Sequence, residues 1–146
     1  MKKYLLILAS AAAIVCSPAH ARDTRHLMPI AAAMDANDSR ARLGDSVKFY
    51  FGKQATPAIA ERLGSDKTSQ KTNSFGKSAD TSCNWAFLSA MLRMQQRARE
   101  LGADAIVNIV SNYKNIEMSS DTEFECHDGA VMTGVALKGD FVKLKP

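Results

Sequence analysis

The chain has 146 residues, of which 46% are hydrophobic and 23% are charged, a balance typical of one folded domain. Its formal net charge is +4, but the first 21 residues contribute two lysines and no acid, so 17 basic and 15 acidic side chains follow them. This near-balance gives no dense basic patch and argues against nucleic-acid binding.

The N-terminus has the three parts of a secretory signal peptide. Lys2 and Lys3 form a positive start, residues 4–16 are apolar with one exception, and residues 19–21 (AHA) form a small-x-small cleavage site. We expect export to the periplasm with cleavage after Ala21. The apolar run is short for a membrane span, so we expect no integral membrane segment after cleavage.

Three cysteines are present, and two of them follow the predicted cleavage site. Cys16 lies in the signal, and Val15 before it fits a lipobox poorly, so a lipoprotein is disfavoured. An even pair in an exported chain predicts one structural disulfide between Cys83 and Cys126, which closes a loop of about 44 residues and contributes about 4 kcal/mol. A redox-active pair is the alternative, but neither cysteine has a second one nearby, as a CxxC motif requires.

The N-terminal half of the mature chain predicts short elements. Residues 22–27 are typical of an edge strand, and residues 29–34 (PIAAAM) of a short helix with proline in its first turn. Residues 47–51 alternate as a strand does and end at a glycine. Residues 65–82 are rich in Ser, Thr, Lys, Asn and Asp, and we predict a mobile loop or an exposed hairpin there.

The longest predicted element is an amphipathic helix that begins near Thr81 or Ser82. Apolar side chains recur at intervals of three or four residues on one face: Phe87, Met91, Met94, Ala98 and Leu101. Gly102 follows and suits a left-handed cap. Residues 105–110 (AIVNIV) are rich in β-branched side chains and predict a strand buried on most of both faces.

The C-terminal residues predict a hairpin. Residues 122–127 alternate, with Phe124 and Cys126 toward the core, and Asp128-Gly129 favours a turn into a strand at 130–138.

Glycine and alanine shape the second strand of this hairpin. Small Gly134 and Ala136 on one side would allow close approach of the helix, and Gly139-Asp140 would break the strand before residues 141–144. We predict an α+β fold: a single domain over residues 22–146, with a small antiparallel sheet and one long helix packed across a face.

One candidate surface site lies on the predicted hairpin, where Glu123, Glu125 and His127 share a strand face. Carboxylates beside a histidine can perform acid–base chemistry, so a hydrolase that uses Glu125 and His127 is one alternative. A solvated strand face is the simpler interpretation. The chain has no Gly-x-Ser-x-Gly elbow, and we predict no catalytic residue and no cofactor.

Metal binding has weak support from His26, the pair Cys126-His127, and Asp128. The predicted disulfide consumes Cys126, and adjacent strand residues point to opposite faces. We therefore predict no metal site, with a metal- or redox-linked module kept as an alternative.

Residues 97–108 (RARELGADAIVN) resemble the LGADAVVN signature of a group of small bacterial α/β domains. The group includes the YbjQ-like domains and the periplasmic signalling domain of the Rcs outer-membrane stress-sensor lipoprotein. The resemblance implies a helix packed on a small sheet, with a cysteine framework of which Cys83 and Cys126 form one pair.

The mature chain is also similar to short exported proteobacterial proteins labelled excinuclease ATPase subunit-like or uncharacterised. The shared pieces are residues 22–24 (RDT), 27–30 (LMPI), 47–52 (VKFYFG) and 134–139 (GVALKG). An ATPase would need a Walker motif, but the GKS at 76–78 lacks the first glycine, because Lys71 stands at that position. The sequence thus argues against an ATPase or DNA-repair role.

These observations predict a non-enzymatic binding or sensing domain of the cell envelope. The basis is the export signal, a single disulfide and the lack of a catalytic pattern. We expect its partner to be an envelope protein or ligand that the sequence does not identify.

Overall fold

A six-stranded sheet and one long helix make up the computed structural model, which describes residues 21–146. The predicted signal peptide lies outside the described residues apart from Ala21. The strands are β1 (Thr24–Pro29), β2 (Lys48–Phe51), β3 (Ile59–Asn73), β4 (Ala105–Ser111), β5 (Glu123–Asp128) and β6 (Met132–Leu144). The helices are α1 (Ile30–Asp35), α2 (Ser39–Leu43) and α3 (Ala79–Leu101), and a single 3-10 turn spans Tyr113–Asn115.

Strand β6 is the centre of the sheet. It pairs antiparallel with β3 along one edge, from Met132 to Leu144, and with β4 and β5 on the other edge. Strand β1 extends the sheet beyond β5, and β2 pairs parallel with β4. Helix α3 packs across one face, which confirms the predicted α+β class. Within residues 21–146, no helix is long and apolar enough to cross a membrane.

Helix α3 confirms the predicted amphipathic helix and begins slightly earlier than expected. Its N-cap is Ser78, whose hydroxyl accepts a hydrogen bond from the backbone N–H of Thr81. It ends at Gly102, which takes a left-handed conformation with φ of 70°. The predicted apolar face is buried at Phe87, Met91, Met94 and Ala98, with Leu101 half-buried.

The predicted disulfide is present between Cys83 in the first turns of α3 and Cys126 on β5. Both cysteines are fully buried. Next to them, the rings of Phe87 and Phe124 stack with their centroids 4.3 Å apart. The bond and the stacked rings together fix the start of α3 on β5.

The prediction of a loop or exposed hairpin over residues 65–82 is wrong. The sheet includes this segment up to Asn73, and α3 begins at Ala79. The polar side chains of this segment lack the apolar alternation that predicts a strand. Its stability comes from backbone pairing with β6 rather than from an apolar face. Half-buried Thr68 and Gln70 alternate with exposed Lys67 and Ser69, which gives the strand two different faces.

The predicted roles of the glycines in β6 are also wrong. The strand runs through Gly139 without a break, and Gly139, rather than Gly134 or Ala136, lies under the helix. A Cβ on Gly139 would lie 2.7 Å from Cγ2 of Ile106 and 3.2 Å from Cε of Met94. Gly134 and Ala136 pair with β3 and face the opposite side of the sheet.

We expect Gly139→Ala to destabilise the protein by about 1–3 kcal/mol, because the added methyl overpacks the helix–sheet contact. Gly134→Ala is the matched control on the same strand, since its Cβ would meet only atoms at 3.7 Å. That control should change the free energy of unfolding by less than about 0.5 kcal/mol. Urea unfolding of both variants measures the difference, and equal effects would contradict the assigned faces.

Candidate functional site

The outer face of the sheet, defined here as the face away from α3, carries the polar cluster. Alternation along β5 turns Phe124 and Cys126 toward α3, so Glu125 and His127 point to the outer face. In the antiparallel register Arg25 of β1 stands opposite His127. The same face therefore collects side chains from both ends of the chain.

His127 is held from both sides. Its Nδ1 lies 2.7 Å from Oδ1 of Asp23, and its Nε2 lies 2.6 Å from Oε1 of Glu125. The Tyr113 ring stacks on the imidazole with centroids 3.3 Å apart, and the Tyr113 hydroxyl donates to Oδ2 of Asp23 at 2.7 Å. Arg25 pairs with the second oxygen of Glu125 at 3.0 Å. We call these five residues the His127 network.

The network alters the ionisation of its carboxylates. Burial alone would raise the pKa of Glu125, but hydrogen bonds from His127 and Arg25 outweigh it and hold that pKa below its usual value. Hydrogen bonds from Tyr113 and then His127 lower the pKa of Asp23. The same bond to Asp23 raises the pKa of Tyr113. Both carboxylates are therefore ionised at neutral pH.

The sequence identified part of this cluster. The structure brings Glu125 and His127 together with side chains only 10% and 11% exposed, so their face is not simply solvated. The third candidate, Glu123, is exposed and makes no contact with the imidazole. Sequence reasoning missed Asp23, Arg25 and Tyr113. At least 88 residues separate Asp23 and Arg25 from Tyr113, and no motif links them.

A second polar contact ties the N-terminal residues to the end of β5. Asp128 lies on the α3 side, where the Thr133 hydroxyl donates to it at 2.7 Å and Arg22 forms an ion pair with it. Thr133 also lies 3.0 Å from the hydroxyl of Ser82 at the start of α3. The bonds from Thr133 and then Arg22 hold the pKa of Asp128 below its usual value. The neighbouring residues Arg22 and Asp23 thus contact side chains on opposite faces of β5.

Two adjoining cavities open beside the His127 network on the outer face. One, of about 230 Å³, is lined by Asp23, Lys71, Tyr113 and His127 among others. The other, of about 460 Å³, lies between β3 and the Tyr113–Asn115 turn. They share Lys71 and Tyr113, and we call them together the trough. Gly134 lines the first cavity and Ala136 the second, so small side chains on β6 leave the space open.

A larger single cavity lies elsewhere, between α1, α2 and β2, with a volume of about 540 Å³. Its walls are mostly apolar, and its basic residues Arg40 and Lys48 already pair with Asp35 and Asp45. We locate the candidate site at the trough instead, because Asp23, Tyr113 and Glu125, whose pKa values are shifted, adjoin it.

A protein-family model described as "Putative heavy-metal-binding" matches residues 58–138, which is 81 of the 146 residues. The chain belongs to this family. The match confirms the resemblance to YbjQ-like domains, whereas the likeness to the Rcs signalling domain and to the exported proteins stays a prediction. No curated protein and no solved structure gives a significant match.

The folded residues do not fit the binding of a thiophilic metal. Cys83 and Cys126 are joined in the core, so neither offers a thiolate. Both ring nitrogens of His127 face carboxylates. Among residues 21–146, no three His, Cys, Asp or Glu side chains converge as metal ligands.

The lowered carboxylate pKa values predict acid sensitivity. A carboxyl group whose pKa is lower in the folded state than in the unfolded state stabilises the protein at pH values above its unfolded pKa. That stabilisation is lost as the pH falls from the unfolded pKa, about 4.3 for Glu, through the folded pKa. We expect Glu125→Gln to reduce the loss of unfolding free energy between pH 7 and pH 3, while Glu123→Gln should leave this difference as in the wild type. Urea unfolding at both pH values tests this, and identical behaviour of the two variants would refute the assignment.

Proposed function

We propose that the chain is an exported, non-enzymatic binding domain of the cell envelope and that the trough is its binding surface. The proposal rests on the His127 network beside the trough, whose polar groups bond to one another. Each polar atom of the imidazole is occupied, and Tyr113 covers one face of the ring. The cluster therefore supplies a fixed, charged wall rather than a reactive group.

Catalysis by His127 would require a different arrangement. A general base must present a ring nitrogen to its substrate within hydrogen-bond reach. Here Asp23 holds one nitrogen and Glu125 holds the other, at 2.7 and 2.6 Å. This geometry favours binding over the alternative of a hydrolase that uses Glu125 and His127.

Export rests on the sequence of the first 21 residues together with the disulfide. Disulfides persist in oxidising compartments such as the periplasm. The Cα atoms of Cys83 and Cys126 are 5.9 Å apart, a separation typical of disulfide-bonded cysteines. Cleavage after Ala21 would make Arg22 the first residue of the mature protein. Its α-ammonium would then add a positive charge at the rim of the trough, which Arg22 lines.

A metal-linked module is the second candidate, and the description of the family favours it. The fold as described offers no set of soft ligands, so this function would depend on reducing Cys83–Cys126. Stoichiometric uptake of cadmium by the fully oxidised protein would favour the metal-linked module over the binding domain.

A photoreactive residue placed in the trough tests the proposal in the periplasm. Ser69 is exposed and lines the trough, and Gln96, exposed on α3, is the matched control position. We expect a specific adduct from position 69 that disappears when Tyr113→Ala is added, and none from position 96. Sequencing of the same periplasmic protein should find Arg22 at its N-terminus. Equal adducts from both positions, or no processed protein in the periplasm, would contradict the proposal.

A further inference from the structure

The larger cavity of the trough has an unusual distribution of charge. Its lining contains three lysines and no Asp or Glu. Lys67 and Lys71 lie on the same face of β3 and flank Ser69, about 13 Å apart along the strand. Lys114 faces them from the Tyr113–Asn115 turn.

We infer that this cavity binds a small ligand that carries a phosphate group, with Lys67, Lys71 and Lys114 as the cationic contacts. The inference deepens the proposed function and rests on the trough being the binding surface. Lysine ammonium groups bind phosphate as point charges, with three donors each. Three of them around one cavity suit a dianion better than a single carboxylate.

The backbone of the facing turn supports this assignment. Lys114 and Asn115 are consecutive residues with positive φ, 52° and 62°. Lysine rarely adopts this left-handed conformation, which costs about 1 kcal/mol or more, and such strain clusters at binding sites. The strained turn places Lys114 and Asn115 at the wall of the cavity. Lys67 donates to Oδ1 of Asn115 at 2.7 Å, which joins the two walls.

Few carboxylates compete for these lysines. Within residues 21–146, Lys67 and Lys71 form no ion pair, and Lys114 lies 3.6 Å from Asp23. Asp23 already accepts from Tyr113 and contacts His127, so its charge is shared. The charges of Lys67 and Lys71 therefore remain available to an incoming anion, while Lys114 shares Asp23 with Tyr113 and His127.

The dimensions of the cavity limit the ligand to a small molecule or a single headgroup. A volume of about 460 Å³ lies in the range of small-ligand sites, about 300–1,000 Å³. The Ser69 hydroxyl and the Asn112 amide line it and can donate to phosphate oxygens. The phosphate can come from a soluble ester or from a lipid headgroup, since both present the same anionic oxygens.

NMR titration of the oxidised protein with inorganic phosphate and pyrophosphate tests the inference. We expect saturable shifts of the amides at 67–71 and 112–115. The triple variant Lys67→Gln, Lys71→Gln, Lys114→Gln should bind at least about tenfold more weakly, a loss of about 1.4 kcal/mol. The control Lys53→Gln, Lys77→Gln, Lys143→Gln has the same net charge and changes exposed lysines outside the trough, so it should bind as the wild type does.

Vesicles distinguish the two sources of phosphate. The same proteins are mixed with phosphatidylglycerol vesicles and with phosphatidylcholine vesicles as the uncharged control. Binding of free phosphate supports a soluble ligand. Binding to phosphatidylglycerol vesicles alone supports a lipid headgroup, provided that the trough triple variant loses this binding. No saturable binding in either arm, or equal losses in both triple variants, would overturn the inference. If the adduct from position 69 persists in that case, the binding surface stands and only the phosphate assignment fails.

Discussion

Strand β5 connects the core and the candidate site, because its two faces perform different tasks. Phe124 and Cys126 point inward and fix the strand to α3 through the stacked rings and the disulfide. Glu125 and His127 point outward and contact Arg25 of β1, Asp23 before it, and Tyr113 of the Tyr113–Asn115 turn. The core contacts hold the strand still, so the outer network forms on a rigid base. Any loss of the inner contacts would therefore also disturb the trough.

The family description and the structure point to different chemistry. A heavy-metal site would draw on thiolates, and the structure instead uses both cysteines of the described chain to join α3 and β5. On the outer face, lysines rather than carboxylates line the larger cavity of the trough. The cysteines therefore have a structural role, and we propose the outer face as the ligand-binding surface.

The sequence predicts elements whose stability is encoded locally. The period of apolar side chains identifies α3 and its glycine stop, and β-branched residues identify β4. The cysteine count identifies the disulfide. Strand β3 is not predicted, because most of its residues are polar and its strand conformation comes from pairing with β6, between 59 and 85 residues away along the chain.

The candidate site is predictable only in part for the same reason. Glu125 and His127 stand two residues apart on one strand, so alternation alone puts them on one face. Asp23 and Tyr113 lie beside His127 only because of the order of the strands in the sheet and the path of the Tyr113–Asn115 turn. Gly139 was misread as a strand breaker, because the need for it arises from the methyl groups of α3 and β4 that pack above it.

The His127 network holds the Tyr113–Asn115 turn against the sheet and so shapes the trough. Native-state hydrogen exchange measures this directly at Ile116, whose N–H donates to the carbonyl of Tyr113 at 2.9 Å. In His127→Gln this amide should exchange at least about tenfold faster, about 1.4 kcal/mol of lost protection, while that of Met91 in α3 keeps its rate. Equal protection of Ile116 in the variant and the wild type would contradict the claim.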